Sequence, residues 1–131
     1  MTAYVDSSAL VKLVVHEAES EALVDHLSGP ITAVTSALSL AEVTRALRRV
    51  SLPREDVESA LVGFYLVEVT RPILERAGWI ATERVRSLDA IHLATALSMG
   101  IADLQFVTYD ERLADAARAQ RLRVVQPGRA R

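Results

Sequence analysis

The sequence predicts an α/β fold, a three-layer α/β/α sandwich with a parallel sheet in the middle. Short β-branched or apolar runs recur along the chain, and segments with a helical period separate them. Each separating segment is long enough to carry the chain back to the start of a parallel neighbour. This alternation is typical of a parallel sheet covered by helices on both faces. A length of 131 residues, with 50% hydrophobic and 24% charged residues, suits one domain covering residues 1–131.

Five runs are predicted to be strands because they combine β-branched or apolar residues over a short length. They span residues 3–5, 31–34, 66–70, 105–108 and 123–125. The helical period is clearest in two of the segments between them. Their apolar stripes consist of Leu40, Val43, Leu47 and Val50, and of Ala90, Leu93, Ala94 and Leu97. Further boundaries are indicated by Pro53 and Pro72 at helix starts, and by Gly29-Pro30 and Gly100 at element ends.

The composition limits the kinds of site that the chain can carry. The sequence has no cysteine, which excludes disulfides, iron–sulfur clusters, thiolate zinc sites and cysteine nucleophiles. The longest stretch without a formal charge, residues 26–41, is shorter than the roughly 20 residues of a membrane-spanning helix. No basic segment precedes the first apolar run, so we expect a soluble cytoplasmic protein. The net charge of −2 argues against a histone-like coating of nucleic acid, but not against a nucleic-acid enzyme whose acids bind metal.

Four carboxylates stand out by position. Asp6 directly follows the first predicted strand, and Asp110 follows the fourth with one residue between. Glu42 borders the buried stripe of its helix, in LSLAEVTRALRRV, and Asp89 opens the helix in RSLDAIHLATAL. Taken singly, each aspartate has a structural explanation as a helix cap, and Glu42 has one as a surface ion pair with Arg45.

Taken together, the four acids predict a metal site. Open parallel sheets bind ligands at the carboxyl ends of their strands, where Asp6 and Asp110 are expected. Carboxylates gathered there repel one another, so a cation among them stabilises the group. Oxygen ligands without cysteine favour hard divalent ions such as Mg2+ or Mn2+.

The four acidic segments resemble the motifs of a known family. YVDSSALVKL, SLAEV, LDAIHLATA and TYD contain the four acids in the order of the acidic motifs of the PIN domain. The whole chain is similar to VapC-type toxins of type II toxin–antitoxin pairs, which are compact single PIN domains. The resemblance implies a five-stranded parallel sheet with a Rossmann-like topology.

The resemblance also implies a function. The chain would be a metal-dependent endoribonuclease, the toxin of a toxin–antitoxin pair, that hydrolyses phosphodiester bonds of structured RNA (tRNA or ribosomal RNA) with a metal-activated water. Asp6 and Asp89 would be the principal ligands of one or two Mg2+ or Mn2+ ions. Glu42 and Asp110 would complete the acidic pocket directly or through water, and Thr108 would hydrogen-bond within it. A homodimer is implied as well, silenced by an antitoxin protein that occupies the acidic pocket.

Other side chains flank the four motifs. Ser8 either caps the first helix or supports the metal pocket. Arg45, Arg49 and Arg112 are candidate contacts to the RNA backbone, with an ordinary solvated face as the alternative. His92, three residues after Asp89, is predicted to pack in the core rather than to bind metal or act as a general base.

Two other functions stay open. A Mg2+-dependent phosphoryl-transfer domain of the receiver or haloacid-dehalogenase type would also place an aspartate after its first strand. Such a domain requires a second acid where this chain has the serines of DSSA. A non-catalytic PIN-fold binding module would use Asp6, Asp89 and Asp110 only as caps, and Mn2+ would then leave its stability unchanged.

Overall fold

A five-stranded, fully parallel sheet forms the centre of the molecule in the computed structural model, which describes residues 1–82 and 84–129. Its strands are β1 (Thr2–Val5), β2 (Thr32–Ser36), β3 (Tyr65–Val67), β4 (Gln105–Val107) and β5 (Arg123–Val125). Their spatial order is β3-β2-β1-β4-β5, and all neighbouring pairs are parallel. The chain winds outward from β1 on one side and then on the other, which places the switch point between β1 and β4.

Helices cover both faces of this sheet. In the described part of the chain they are α1 (Ser7–Lys12), α2 (Ser20–Leu27), α3 (Leu38–Arg49), α4 (Arg54–Leu61), α5 (Arg71–Gly78), α6 (Ser87–Ser98) and α7 (Glu111–Ala119). Ala3 and Val5 face a core shared with α1 to α4, whereas Tyr4 faces a second core shared with α6 and α7. The predicted three-layer α/β/α sandwich with a five-stranded parallel sheet is therefore confirmed. None of the described helices is long and apolar enough to cross a bilayer.

Several helix boundaries lie where the sequence predicts them. Pro53 is the N-cap residue of α4, and Pro72 is the second residue of α5, where a missing backbone N–H costs no hydrogen bond. Gly100 follows the end of α6 with a φ of +65°, a left-handed conformation that glycine adopts without a side-chain clash.

Three strand ends differ from the prediction. β2 continues to Ser36, and its last bridge joins Ser36 to Val67, so β3 has no partner beyond Val67 and ends three residues early. Thr70, predicted to close that strand, is instead the N-cap residue of α5. β4 ends at Val107 rather than at Thr108, so two residues separate the strand from Asp110 instead of one.

Candidate active site

Asp6 is fixed where β1 meets α1, at the switch point of the sheet. Its backbone is extended (φ −80°, ψ 175°), and its side chain caps α1 by accepting the Ala9 N–H on Oδ1 at 3.0 Å. The Ser8 hydroxyl donates to the same oxygen at 2.7 Å, and the Thr108 hydroxyl donates to Oδ2 at 2.6 Å. Asp6 is only 2% exposed. Burial raises its pKa above the ordinary value, while the Thr108 hydrogen bond, the His92 ring and the Ser8 hydroxyl oppose that rise.

Thr108 and Asp110 complete the strand-end side of the site. The Thr108 hydroxyl is fully buried, and besides donating to Asp6 it accepts the Asp110 N–H at 3.1 Å. Asp110 caps α7, because its Oδ1 accepts the N–H groups of Arg112 at 2.9 Å and Leu113 at 3.2 Å. The cap explanation is therefore correct for Asp6 and Asp110, although each keeps carboxylate acceptor capacity beyond its cap.

Asp89 is not a cap. The N-cap residue of α6 is Arg86, and Asp89 lies in the first turn of the helix, half-buried. Burial is the largest cause that raises its pKa, followed by the negative charges of Asp110 and Asp6. Glu42 raises it further, and the nearby His92 ring lowers it. Asp89 is thus close enough to all three other acids to be influenced by their charges.

Glu42 reaches the site from α3, on the opposite face of the sheet from Asp89. Its side chain is 20% exposed, and its Oε1 lies 2.5 Å from Nε2 of His92 on α6. The two helical layers therefore meet beyond the carboxyl edge of the sheet. Sequence reasoning missed this contact, and its one available signal was that His92 and Asp89 share a helix face at a spacing of i, i+3.

Three of the four acids line one cleft of about 360 Å³. Its lining residues are Ser7, Ser8, Val11, Glu42, Arg45, Ala46, Arg49, Leu88, Asp89 and Asp110. Asp6 and Thr108 lie behind Ser8, through the hydrogen bonds described above. A larger cavity of about 560 Å³ between α1 and α2 has two lining acids, Glu21 and Asp25, but none of the four predicted ones. The acidic cleft is therefore identified by the predicted acids that line it, not by its size.

The arginines are divided by the structure. Arg45 and Arg49 line the cleft, and with the exposed Arg48 they continue into a neighbouring surface groove. Arg112 is not among the residues that line the cleft; its backbone N–H serves the cap of α7. Arg48 was missed from sequence, although it follows directly from the same arginine-rich turn of α3.

The cleft supplies oxygen ligands but no preassembled cage of three. Within residues 1–82 and 84–129, no three acidic or imidazole side chains are gathered closely enough to hold one ion together. Mg2+ is commonly bound through one or two carboxylates, with water completing its coordination shell. The carboxylate donors of this cleft therefore fit a hard divalent ion.

Comparisons with known proteins identify the family of this chain. The sequence model of the PIN domain matches residues 3–119. The chain is 42% identical to ribonuclease VapC46 of Mycobacterium tuberculosis over 95% of this chain and 96% of that protein. It is 46% identical to ribonuclease VapC35 of the same species, over 98% of each chain. A toxin–antitoxin complex from Klebsiella pneumoniae contains a similar fold, with a TM-score of 0.66 and 23% identity over 82% of this chain and 86% of that one. The chain belongs to the PIN domain family and, within it, to the VapC-type proteins.

Proposed function

We propose that this single PIN domain, residues 1–131, is a metal-dependent endoribonuclease and the toxin of a toxin–antitoxin pair. The observation that carries the proposal is that Glu42, Asp89 and Asp110 line one cleft, with Asp6 buried directly behind Ser8 of the same cleft. The pKa of Asp89 is raised by each of the other three. Close relatives named ribonucleases, at 42% and 46% identity over nearly the whole chain, support the RNA-cleaving activity.

The ion is proposed to be Mg2+ or Mn2+, one or two per site. Asp6 and Asp89 would be its principal protein ligands, and Glu42 and Asp110 would bind directly or through water. When bound, such an ion lowers the pKa of water and offsets charge that develops on the phosphate. Thr108 and Ser8 hold the Asp6 carboxylate in place with hydrogen bonds of 2.6 and 2.7 Å, so this ligand is oriented before an ion arrives.

The substrate is proposed to be structured RNA, of the tRNA or ribosomal RNA class. Arg45 and Arg49 lie on the rim of the acidic cleft and would contact phosphates that flank the cleaved bond. Arg112, in the first turn of α7 and outside the cleft lining, is proposed as a further phosphate contact. Attack by water rather than by the RNA 2′-hydroxyl would leave a 5′-phosphate and a 3′-hydroxyl.

The regulatory partner is proposed to be an antitoxin protein that occupies the acidic cleft. A cationic side chain, such as an arginine, would pair with the carboxylates there and exclude the ion. The fold shared with the Klebsiella pneumoniae toxin–antitoxin complex supports such a partner. A homodimer of this chain is also proposed, in line with the family resemblance.

One alternative keeps an observation in its favour. Asp6 and Asp110 do cap α1 and α7, as a non-catalytic binding module would require. That explanation does not extend to Asp89 and Glu42, which cap no helix and yet lie at the same cleft.

The test is cleavage of cellular RNA by the purified protein with Mn2+ or Mg2+, compared with EDTA, and with fragment ends mapped. Asp89→Asn is the informative variant because it removes one charge without removing a helix cap. Asp103→Asn is the matched control, since Asp103 is exposed and precedes β4, at the opposite edge of the sheet. Discrete cuts by the wild type and Asp103→Asn, absent with Asp89→Asn or EDTA, are expected.

Melting temperatures with and without Mn2+ separate the alternatives. A rise with Mn2+ but no RNA cleavage would favour the phosphoryl-transfer function, and no rise together with no cleavage would favour the binding module. Cleavage that persists in EDTA would contradict the metal dependence.

A further inference from the structure

His92 lies at the centre of a buried polar chain that ends at the acidic cleft. Its ring is fully buried on α6. Nε2 lies 2.5 Å from Oε1 of Glu42, and Nδ1 lies 2.6 Å from the hydroxyl of Tyr4 on β1. Both ring nitrogens therefore have a hydrogen-bond partner, one in the core and one at the cleft.

The chemistry of Glu42 fixes which group is the donor in its hydrogen bond with His92. An ionised Glu42 can only accept, so Nε2 must carry the proton and donate to it. The Tyr4 hydroxyl can donate to an unprotonated Nδ1 or accept from a protonated one, so this contact persists in either state of the ring. Tyr4 and Glu42 thus hold the His92 ring from its two sides, one in the core and one at the cleft.

Tyr4, at the core end of this polar chain, is held in place by packing. Tyr4 is fully buried in the central strand, and its ring stacks on Phe106 with centroids 5.5 Å apart and planes 4° from parallel. The His92 ring meets Tyr4 edge-on, with centroids 5.8 Å apart. β1 also leads into Asp6. The hydrogen bonds through His92 and Tyr4 therefore connect Glu42 to the same strand that positions Asp6.

The hydrogen bond from His92 is needed to hold the Glu42 carboxylate in the cleft, because other interactions favour its moving away. Arg45, three residues along α3, offers its carboxylate an ion pair on the helix surface. The negative charge of Asp89 repels it from the inside. The described structure shows Glu42 paired with His92 and not with Arg45, which is the orientation that faces the other acids.

We infer that His92, supported by Tyr4, is a positioning residue that holds Glu42 in the cleft for ion binding. The inference deepens the proposed function and depends on it. His92 itself is not expected to bind the ion, because both of its nitrogens are occupied. Groups that orient carboxylate ligands in this way typically change metal affinity 10- to 100-fold when removed.

The test is the Mn2+ concentration that gives half of the maximal rise in melting temperature, measured on the full chain. His92→Asn is too short to donate to Glu42, whereas the amide of His92→Gln reaches the position of Nε2. We expect His92→Asn to raise the Mn2+ midpoint about tenfold or more. His92→Gln should return the midpoint toward the wild-type value. A role confined to packing would lower the melting temperature without Mn2+ but leave the midpoint unchanged.

Two further variants make the result decisive. In a Glu42→Gln background, His92→Asn should add no further change to the midpoint, because the group that His92 positions is already altered. Tyr4→Phe removes only the phenol hydroxyl and should raise the midpoint by a smaller factor; it provides the test if His92→Asn does not fold.

The outcomes distinguish this inference from the proposed function. If Mn2+ fails to stabilise the wild type, the proposed metal site is wrong. If Mn2+ stabilises the wild type and the midpoint is the same in His92→Asn, or in Tyr4→Phe where His92→Asn does not fold, the positioning role of His92 is overturned while the metal site stands.

Discussion

Asp6 and Asp89, the two predicted principal ligands, have opposite surroundings in the same cleft. Asp6 is almost fully buried and accepts hydrogen bonds from Ala9, Ser8 and Thr108. Asp89 is half-buried, caps nothing, and is surrounded by other acids. Burial raises the pKa of both and His92 lowers both, but hydrogen bonds also oppose the rise at Asp6, whereas the charges of Asp110 and Asp6 add to it at Asp89.

The difference shows that the two sides of the cleft have different physical roles. The strand-end side is part of the fold, since the Asp6 carboxylate ties β1, α1 and the end of β4 together. On the helical side, Asp89 carries a charge that the described structure leaves without a hydrogen bond or an ion pair. A cation would stabilise this second side far more than the first. The two aspartates should therefore respond differently to mutation.

The largest effect is expected from Asp6→Ala, measured as the free energy of unfolding in EDTA. The change removes the cap of α1 and leaves the buried Thr108 hydroxyl without its acceptor. A loss of about 2–3 kcal/mol is expected. Asp89→Ala in the same buffer should leave the stability unchanged or slightly raised. Equal losses of stability in Asp6→Ala and Asp89→Ala would contradict the difference between the two sides of the cleft.

A smaller effect is expected from Thr108→Val, which keeps the side-chain shape and removes the hydroxyl. That hydroxyl donates to Asp6 and accepts from the Asp110 backbone, so Asp6 would lose a buried hydrogen bond and Asp110 a partly buried one. Denaturant unfolding should show a loss of about 1–2 kcal/mol. Thr108→Ser, which retains the hydroxyl, serves as the matched control and should stay close to the wild type.

The sequence predicts the strand-end side of the cleft better than the helical side. Local rules place Asp6 after a short apolar run, and the switch point of a parallel sheet follows from strand alternation. The depth of burial of Asp6 and its hydrogen bond to Thr108 join residues 102 positions apart, so no local pattern contains them. The three misjudged strand ends have a similar cause, because each end depends on where the neighbouring strand stops.

The helical side depends on contacts between layers that only packing defines. His92 was predicted as a core residue, and it is indeed buried, but its hydrogen bond to Glu42 joins helices on opposite faces of the sheet. Periodicity assigns each helix a buried stripe, and it carries no information about which two stripes meet beyond the edge of the sheet. The roles of the four acids as ligands remain predictions for the same reason.

The third effect is a pH dependence of stability that is caused by the charge of Asp89. The folded-state pKa of Asp89 lies above the ordinary value of 3.8, so the native state holds this proton more tightly than the unfolded state. Its contribution to stability is fully present below the ordinary pKa and is lost as the pH rises through the raised one. In EDTA near neutral pH, Asp89→Asn should therefore gain up to about 1 kcal/mol, the scale of one interaction between partly exposed charges.

The measurement is chemical denaturation of both proteins at several pH values above 4, without divalent ions. The gain should shrink toward acidic pH, where Asp89 of the wild type is protonated. Asp103→Asn, at the opposite edge of the sheet, should show no such trend. A gain that does not depend on pH would indicate that the amide forms new contacts, rather than that a repelled charge was removed.

The smallest effect is expected at the rim, where Arg49 lines the cleft but is exposed. In the Asp89→Asn background, which is expected to prevent cleavage, Arg49→Glu should weaken RNA binding about threefold and reduce the slope of log K against log salt by about 1. Arg123→Glu is the matched control, because Arg123 is an exposed first residue of β5 and lies at the far edge of the sheet. If both reversals weaken binding equally, RNA responds to the overall charge of the protein and not to the rim. If only Arg49→Glu does, the arginines of α3 bring the phosphate to carboxylates that would otherwise repel it.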